Sequence, residues 1–159
     1  MSLDDWILSL HVLSAFALVA GAVVFWVLVV EVRRTDSPEG TIRMEPVVKV
    51  GNIATGIGAV GTVLFGLWLA ISLDDYKVWD GWVIAAIVLW AVMMGTGQQT
   101  GAAYMQGMKK AEELEAAGQT GPNADLLALN RTQRGLVLHT ATTLLALLIL
   151  VDMIWKPGA

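Results

Sequence analysis

Four stretches of this chain carry no charged side chain: Trp6 to Val30, Val50 to Leu73, Gly81 to Met108 and Gly135 to Val151. A helix needs about 20 consecutive apolar residues to cross a hydrocarbon core of about 30 Å. The first three runs meet that length, and the fourth meets it when Asp152 to Trp155 forms its interfacial end. Composition follows from the runs: 15% of residues are charged and 56% hydrophobic, against about 25% charged in ordinary soluble domains. The runs are apolar on every face. Membrane strands would alternate apolar and polar positions over about 10 residues, and helices of a soluble bundle would keep a polar stripe. The sequence therefore predicts an all-α fold, a four-transmembrane-helix up-down bundle forming a single membrane domain over residues 1–159. Helices are expected at about 6–30, 50–73, 81–117 and 123–155, the last two extending beyond the bilayer as a helical hairpin.

Charge asymmetry gives an expected orientation. Lys and Arg collect in cytoplasmic loops. Arg33, Arg34, Arg43 and Lys49 follow the first run, and Lys109, Lys110, Arg131 and Arg134 lie between the third and fourth. The opposite side has Lys77 and Lys156. Both termini are thus expected outside a bacterial inner membrane and both longer loops in the cytoplasm. Trp6, Tyr76, Trp79, Trp82 and Trp155 fall at the outer boundary, as interfacial aromatics do. The leader "MSLDD" is acidic where a signal peptide has a basic start, so the first run is expected to stay as a helix. The chain has no cysteine, which excludes disulfides and thiolate metal sites.

Helices in lipid associate by close packing. In the second run, Gly51, Thr55, Gly58, Thr62 and Gly66 recur at helical spacing and form one ridge of small residues. Gly97 and Gly101 form a similar patch on the third. "DSPEG" and "EP" make the first loop short and irregular. "MKKAEELEAAG" continues the third helix to a stop near Gly118, and a new start near Pro122 or Asn123 runs into the fourth. This hairpin is either a solvated connector or a docking surface formed by Leu114, Leu126, Leu127 and Leu129.

The two histidines, His11 and His139, sit inside apolar runs. At 1.5 Å per residue, each lies about 7 Å from its own boundary, on opposite sides, so they are about 15 Å apart along the membrane normal. One metal or haem iron cannot take both from a single chain. Asp152 lies near the level of His11, and an up-down bundle makes the first and fourth helices neighbours, so a His11–Asp152 hydrogen bond is expected. Towards the inner side, Asn52, Thr55, Gln98, Gln99, Thr100, His139 and Thr140 fall within about 9 Å of the boundary. They form either interhelical polar glue or a small polar cavity. Met93, Met94, Met105 and Met108 read as core filler. "GIGAVG" lies inside an apolar helix and is no dinucleotide fingerprint. The sequence shows no catalytic constellation and no metal-ligand motif.

With "LHVLSAFALVAG", "VVKVGNIATGIGAVGTVLFGLWLAI" and "VDMIWKPGA", the chain resembles a bacterial family of predicted integral membrane proteins of unknown function. That resemblance spans nearly the whole chain and implies four membrane helices. The first helix is also similar to that of copper-resistance D-type membrane proteins, which implies His11 as a ligand. The functional expectation is a structural or accessory subunit of a membrane assembly, in contact with the bilayer and with other subunits or further copies of itself, and not with nucleic acid. The alternatives are a redox protein holding haem or copper at His11, and a small transporter subunit using the inner polar cluster.

Overall fold

The computed structural model describes residues 2–73 and 77–157. Tyr76, with Asp74 and Asp75 beside it, lies outside the described residues, as do Gly158 and Ala159. Among the described residues, six helices follow one another: α1 Leu3–Val32, α2 Pro38–Ile42, α3 Glu45–Ser72, α4 Gly81–Ala116, α5 Ala124–Asn130 and α6 Gln133–Trp155. No strand occurs among the described residues. The all-α, four-span expectation holds, since α1, α3, α4 and α6 contain the four segments long and apolar enough to cross a bilayer.

Local chemistry sets the helix ends. Ser2 and Asp5 close a capping box on α1, with Asp5 N–H donating to Ser2 Oγ at 3.2 Å and Ser2 N–H to Asp5 Oδ2 at 2.7 Å. α4 has 36 residues, about 54 Å of helix, and so outruns a core of about 30 Å. It stops at a Schellman motif. Gly118 takes φ +72°, and the Gly118 and Gln119 amides donate to the Glu115 and Leu114 carbonyls, each at 2.9 Å.

Two segments differ from the sequence reading. The first connection is not wholly irregular: Ser37 caps a short helix that opens on Pro38, and Pro46 lets α3 begin at Glu45, ahead of the expected start at 50. The expected helix over 123–155 is divided. Asn123 caps α5, with its Oδ1 accepting from the Leu126 amide at 3.0 Å. Thr132 then leaves the helical region at ψ 122° and caps α6 through Gly135 N–H. A threonine hydroxyl satisfying the open amides of a new first turn favours that break.

The helices pack as two antiparallel pairs, α1 with α3 and α4 with α6. The α1–α3 seam is the ridge expected from sequence. A Cβ on Gly66 would meet His11 Cε1 at 2.9 Å, one on Gly58 would meet the Leu18 Cα at 2.7 Å, and one on Gly51 would meet Phe25 at 3.2 Å. Gly21 lies against Thr55 in the same way. His11, Ser14, Leu18, Gly21 and Phe25 thus descend α1 as the facing residues ascend α3. On α4 the outcome differs: Gly97 comes near only the Thr142 methyl, at 3.8 Å, and Gly101 faces open space.

The pairs meet chiefly at their ends. At the end holding the termini, Ala70, Trp82 and Val83 pack with Val78 and Met153. At the loop end, Ala111, Leu114 and Leu126 pack with Ile42. Between these, large apolar side chains point outwards: Phe16 is 68% exposed, Ile57 63% and Leu64 60%. Such faces need lipid as their solvent. Several hydroxyls in the spans are satisfied within their own helices, as where Ser14, Thr62, Thr100 and Thr143 donate to the carbonyls of residues 10, 58, 96 and 139.

Candidate functional site

His11 does not pair with Asp152. Its Nδ1 lies 3.0 Å from the Thr62 carbonyl oxygen on α3. A carbonyl only accepts, so Nδ1 carries the proton, and in the neutral ring Nε2 is the basic nitrogen. The expected partner fails on face rather than on depth. His11 belongs to the residues spaced three and four apart that line the α3 seam, and Gly66 leaves the room its ring occupies. Asp152 Oδ2 is buried without a hydrogen-bond partner among the described residues. One turn further along the chain, the Lys156 ammonium stands 5.5 Å from the Trp82 ring centroid.

The inner polar residues do not form one cavity. Asn52, Gln98, Gln99 and Thr140 are exposed on the surface of the bundle. Thr100 is buried and returns its hydroxyl to Thr96. Thr55 lies in the α1–α3 seam against Gly21, its Oγ1 buried without a hydrogen-bond partner among the described residues. His139 is buried at the α1–α6 contact. Its ring centroid is 4.6 Å from that of Trp26, at 60°. Trp26 Nε1–H donates to Thr143 Oγ1 at 2.9 Å, and Thr143 donates to the His139 carbonyl. Trp26 thus reads both polar positions of one α6 turn. Sequence reasoning missed it, although an indole among aliphatic residues at mid-helix signals a donor that needs an acceptor.

The two longer connections are knitted together. Asn130, 2% exposed, donates through Nδ2 to the Thr35 carbonyl at 3.1 Å and to Thr41 Oγ1 at 3.0 Å. Gly107 of α4 is the surface its side chain rests on. An Arg33 guanidinium nitrogen donates to the Thr132 carbonyl at 3.1 Å, and Arg131 Nε donates to the Arg33 carbonyl at 3.1 Å. Of the leucines considered as a docking surface, Leu114 and Leu126 are buried in the cluster beneath this lattice, while Leu127 and Leu129 are half-buried. The hairpin is therefore a packed cap over the bundle.

Beside the cap, α4, α5 and the start of α6 leave a groove of about 310 Å³, its polar lining being Gln99, Gln106, Thr132 and Arg134. Among the described residues, no group of three or more His, Asp or Glu side chains is placed to hold a metal ion. The methionines of α4 are dispersed, Met93 being buried and Met105 exposed.

Four long apolar helices with outward apolar faces and a small-residue seam define an integral membrane protein of the multi-pass α-helical class. Residues 5–157 match the family described as predicted integral membrane protein (DUF2269), and the chain belongs to that family. No curated protein and no solved structure matches it.

Proposed function

We propose that the chain is a non-catalytic subunit of a membrane assembly, standing in a bacterial inner membrane with its cap in the cytoplasm. The observation that supports this is the use made of the polar groups at the loop end. Asn130, Arg33 and Arg131 bind the two connections to each other above a packed apolar cluster. The spans are thereby fixed by their ends, and their outer faces are left for lipid or neighbouring subunits. Such a construction gives a rigid platform.

A second reading, haem or copper at His11, rests on the proton at Nδ1. Metal-bound imidazoles commonly donate their other N–H to a carbonyl, leaving the opposite nitrogen for the metal. The geometry offers one such nitrogen per chain, so a second ligand would come from elsewhere.

Mild detergent extraction from native membranes, followed by native mass spectrometry, a visible spectrum and metal analysis, separates the readings. An assembly of fixed stoichiometry without a Soret band or stoichiometric copper is expected. A single chain carrying one haem or copper, lost in His11→Ala, would overturn the subunit reading.

A further inference from the structure

We propose that the groove between α4 and the α5–α6 junction holds the phosphate of an anionic membrane lipid. Its lining supplies donors: the Arg134 guanidinium, the Gln99 and Gln106 amides and the Thr132 hydroxyl. No carboxylate lines it. Arg134 makes no ion pair or hydrogen bond with any described residue, whereas Arg33 and Arg131 are engaged in the cap and Arg34 lies 3.6 Å from Glu31. A guanidinium with free donors matches the planar, two-oxygen edge of a phosphate.

Depth selects lipid over a dissolved anion. Gln99 lies about 27 Å along α4 from Gly81, and Gln106 about 38 Å. Arg134 lies about 32 Å along α6 from Trp155. A hydrocarbon core of about 30 Å therefore ends within the groove on both helices. Ala102 and Ala103 keep its floor low. Towards the membrane the neighbouring surface turns apolar, with Val137 65% exposed one turn from Arg134. A headgroup seated here would leave its acyl chains along α6. At about 310 Å³ the groove is at the small end of ligand sites, enough for a phosphate and its glycerol.

The full-length protein is reconstituted with phosphatidylglycerol, with phosphatidylcholine, or with a mixture, and the lipid retained per chain after delipidation is measured by native mass spectrometry. Arg134→Gln is compared with Arg34→Gln, which removes the same charge at the same end of the molecule. The wild type is expected to retain phosphatidylglycerol over phosphatidylcholine. Arg134→Gln should lower that retention about fivefold, the scale of one basic residue near an anionic surface, and Arg34→Gln should leave it unchanged. Equal loss in both variants would mean diffuse charge and overturn the site. Retention of phosphatidylcholine equal to phosphatidylglycerol would overturn it too. If soluble glycerol phosphate binds the wild type while phosphatidylglycerol does not, the groove serves a dissolved phosphate ester and the lipid assignment fails.

Discussion

Gly58 and Val60 are two residues apart and face different solvents. A Cβ on Gly58 would strike the backbone of Leu18, with the Cα at 2.7 Å, and backbone cannot swing away as a side chain can. Val60 is 57% exposed on the outer face. Gly58→Leu should therefore destabilise the detergent-solubilised protein by about 1–3 kcal/mol or more, the scale of overpacking a tight contact, while Val60→Leu should change little. Thermal unfolding of the two variants side by side measures this, and equal midpoints would reject the seam. Asn130 poses the converse case. Its replacement by Ala leaves the Thr35 carbonyl and the Thr41 hydroxyl without their donor in a site that is 2% exposed. A loss of about 1–3 kcal/mol is expected, with proteolysis of the 117–123 connection as a sensitive readout. The seam was legible because glycine and threonine at helical spacing in an apolar run have few other uses. Asn130 was not legible, since its partners lie in a connection distant in sequence. The His11 partner was misread because depth follows from counting residues, whereas facing depends on which helix supplies the neighbour.

Among the elements, the break between α5 and α6 tests how far capping chemistry decides a helix end. Thr132 has ψ 122° and its Oγ1 accepts from the Gly135 amide at 3.4 Å. The Arg33 guanidinium also holds the Thr132 carbonyl. Thr132→Ala removes the first contact and keeps the second, so it should cost about 0.5–2 kcal/mol, the usual range for losing an N-cap. Denaturation of the variant measures it. Restoration by Ser at this position, but not by Val, would assign the effect to the hydroxyl. The sequence revealed the helix ends that adjoin glycine and proline turns, the stop at Gly118 and the start at Asn123, but not the Ser2 capping box that begins α1 at Leu3. It concealed Thr132, because a threonine flanked by helix-forming residues satisfies an unbroken helix equally well by bonding back to a carbonyl. α2 escaped notice for a related reason. A five-residue helix buries too little to show periodicity and is held by its neighbours, here α4 through Ile42.

For the whole molecule, the spans follow from charge-free length, while their pairing rests on side-chain shape. Small residues bring α3 against α1, and the Trp26 indole spaces α1 from α6. The side of the membrane occupied by the cap depends on a third property, the distribution of basic residues. Arg33, Arg34, Arg43, Lys49, Lys109, Lys110, Arg131 and Arg134 all lie at the cap end or its margin, and the opposite end has Lys77 and Lys156. Basic loops are kept on the cytoplasmic side, and that is the ground on which the cap is proposed to lie there. Single cysteines test this cleanly because the chain has none of its own. Ser2→Cys and Lys156→Cys should react with an impermeant maleimide on intact spheroplasts. Gly121→Cys, in open space between α4 and α5, should react only after the membrane is permeabilised. Lys156 takes φ 42°, so the Ser2 result carries more weight if the Lys156 variant folds poorly. Labelling of Gly121→Cys on intact spheroplasts would invert the topology and put the basic cap, with Arg134 and its groove, on the outer face.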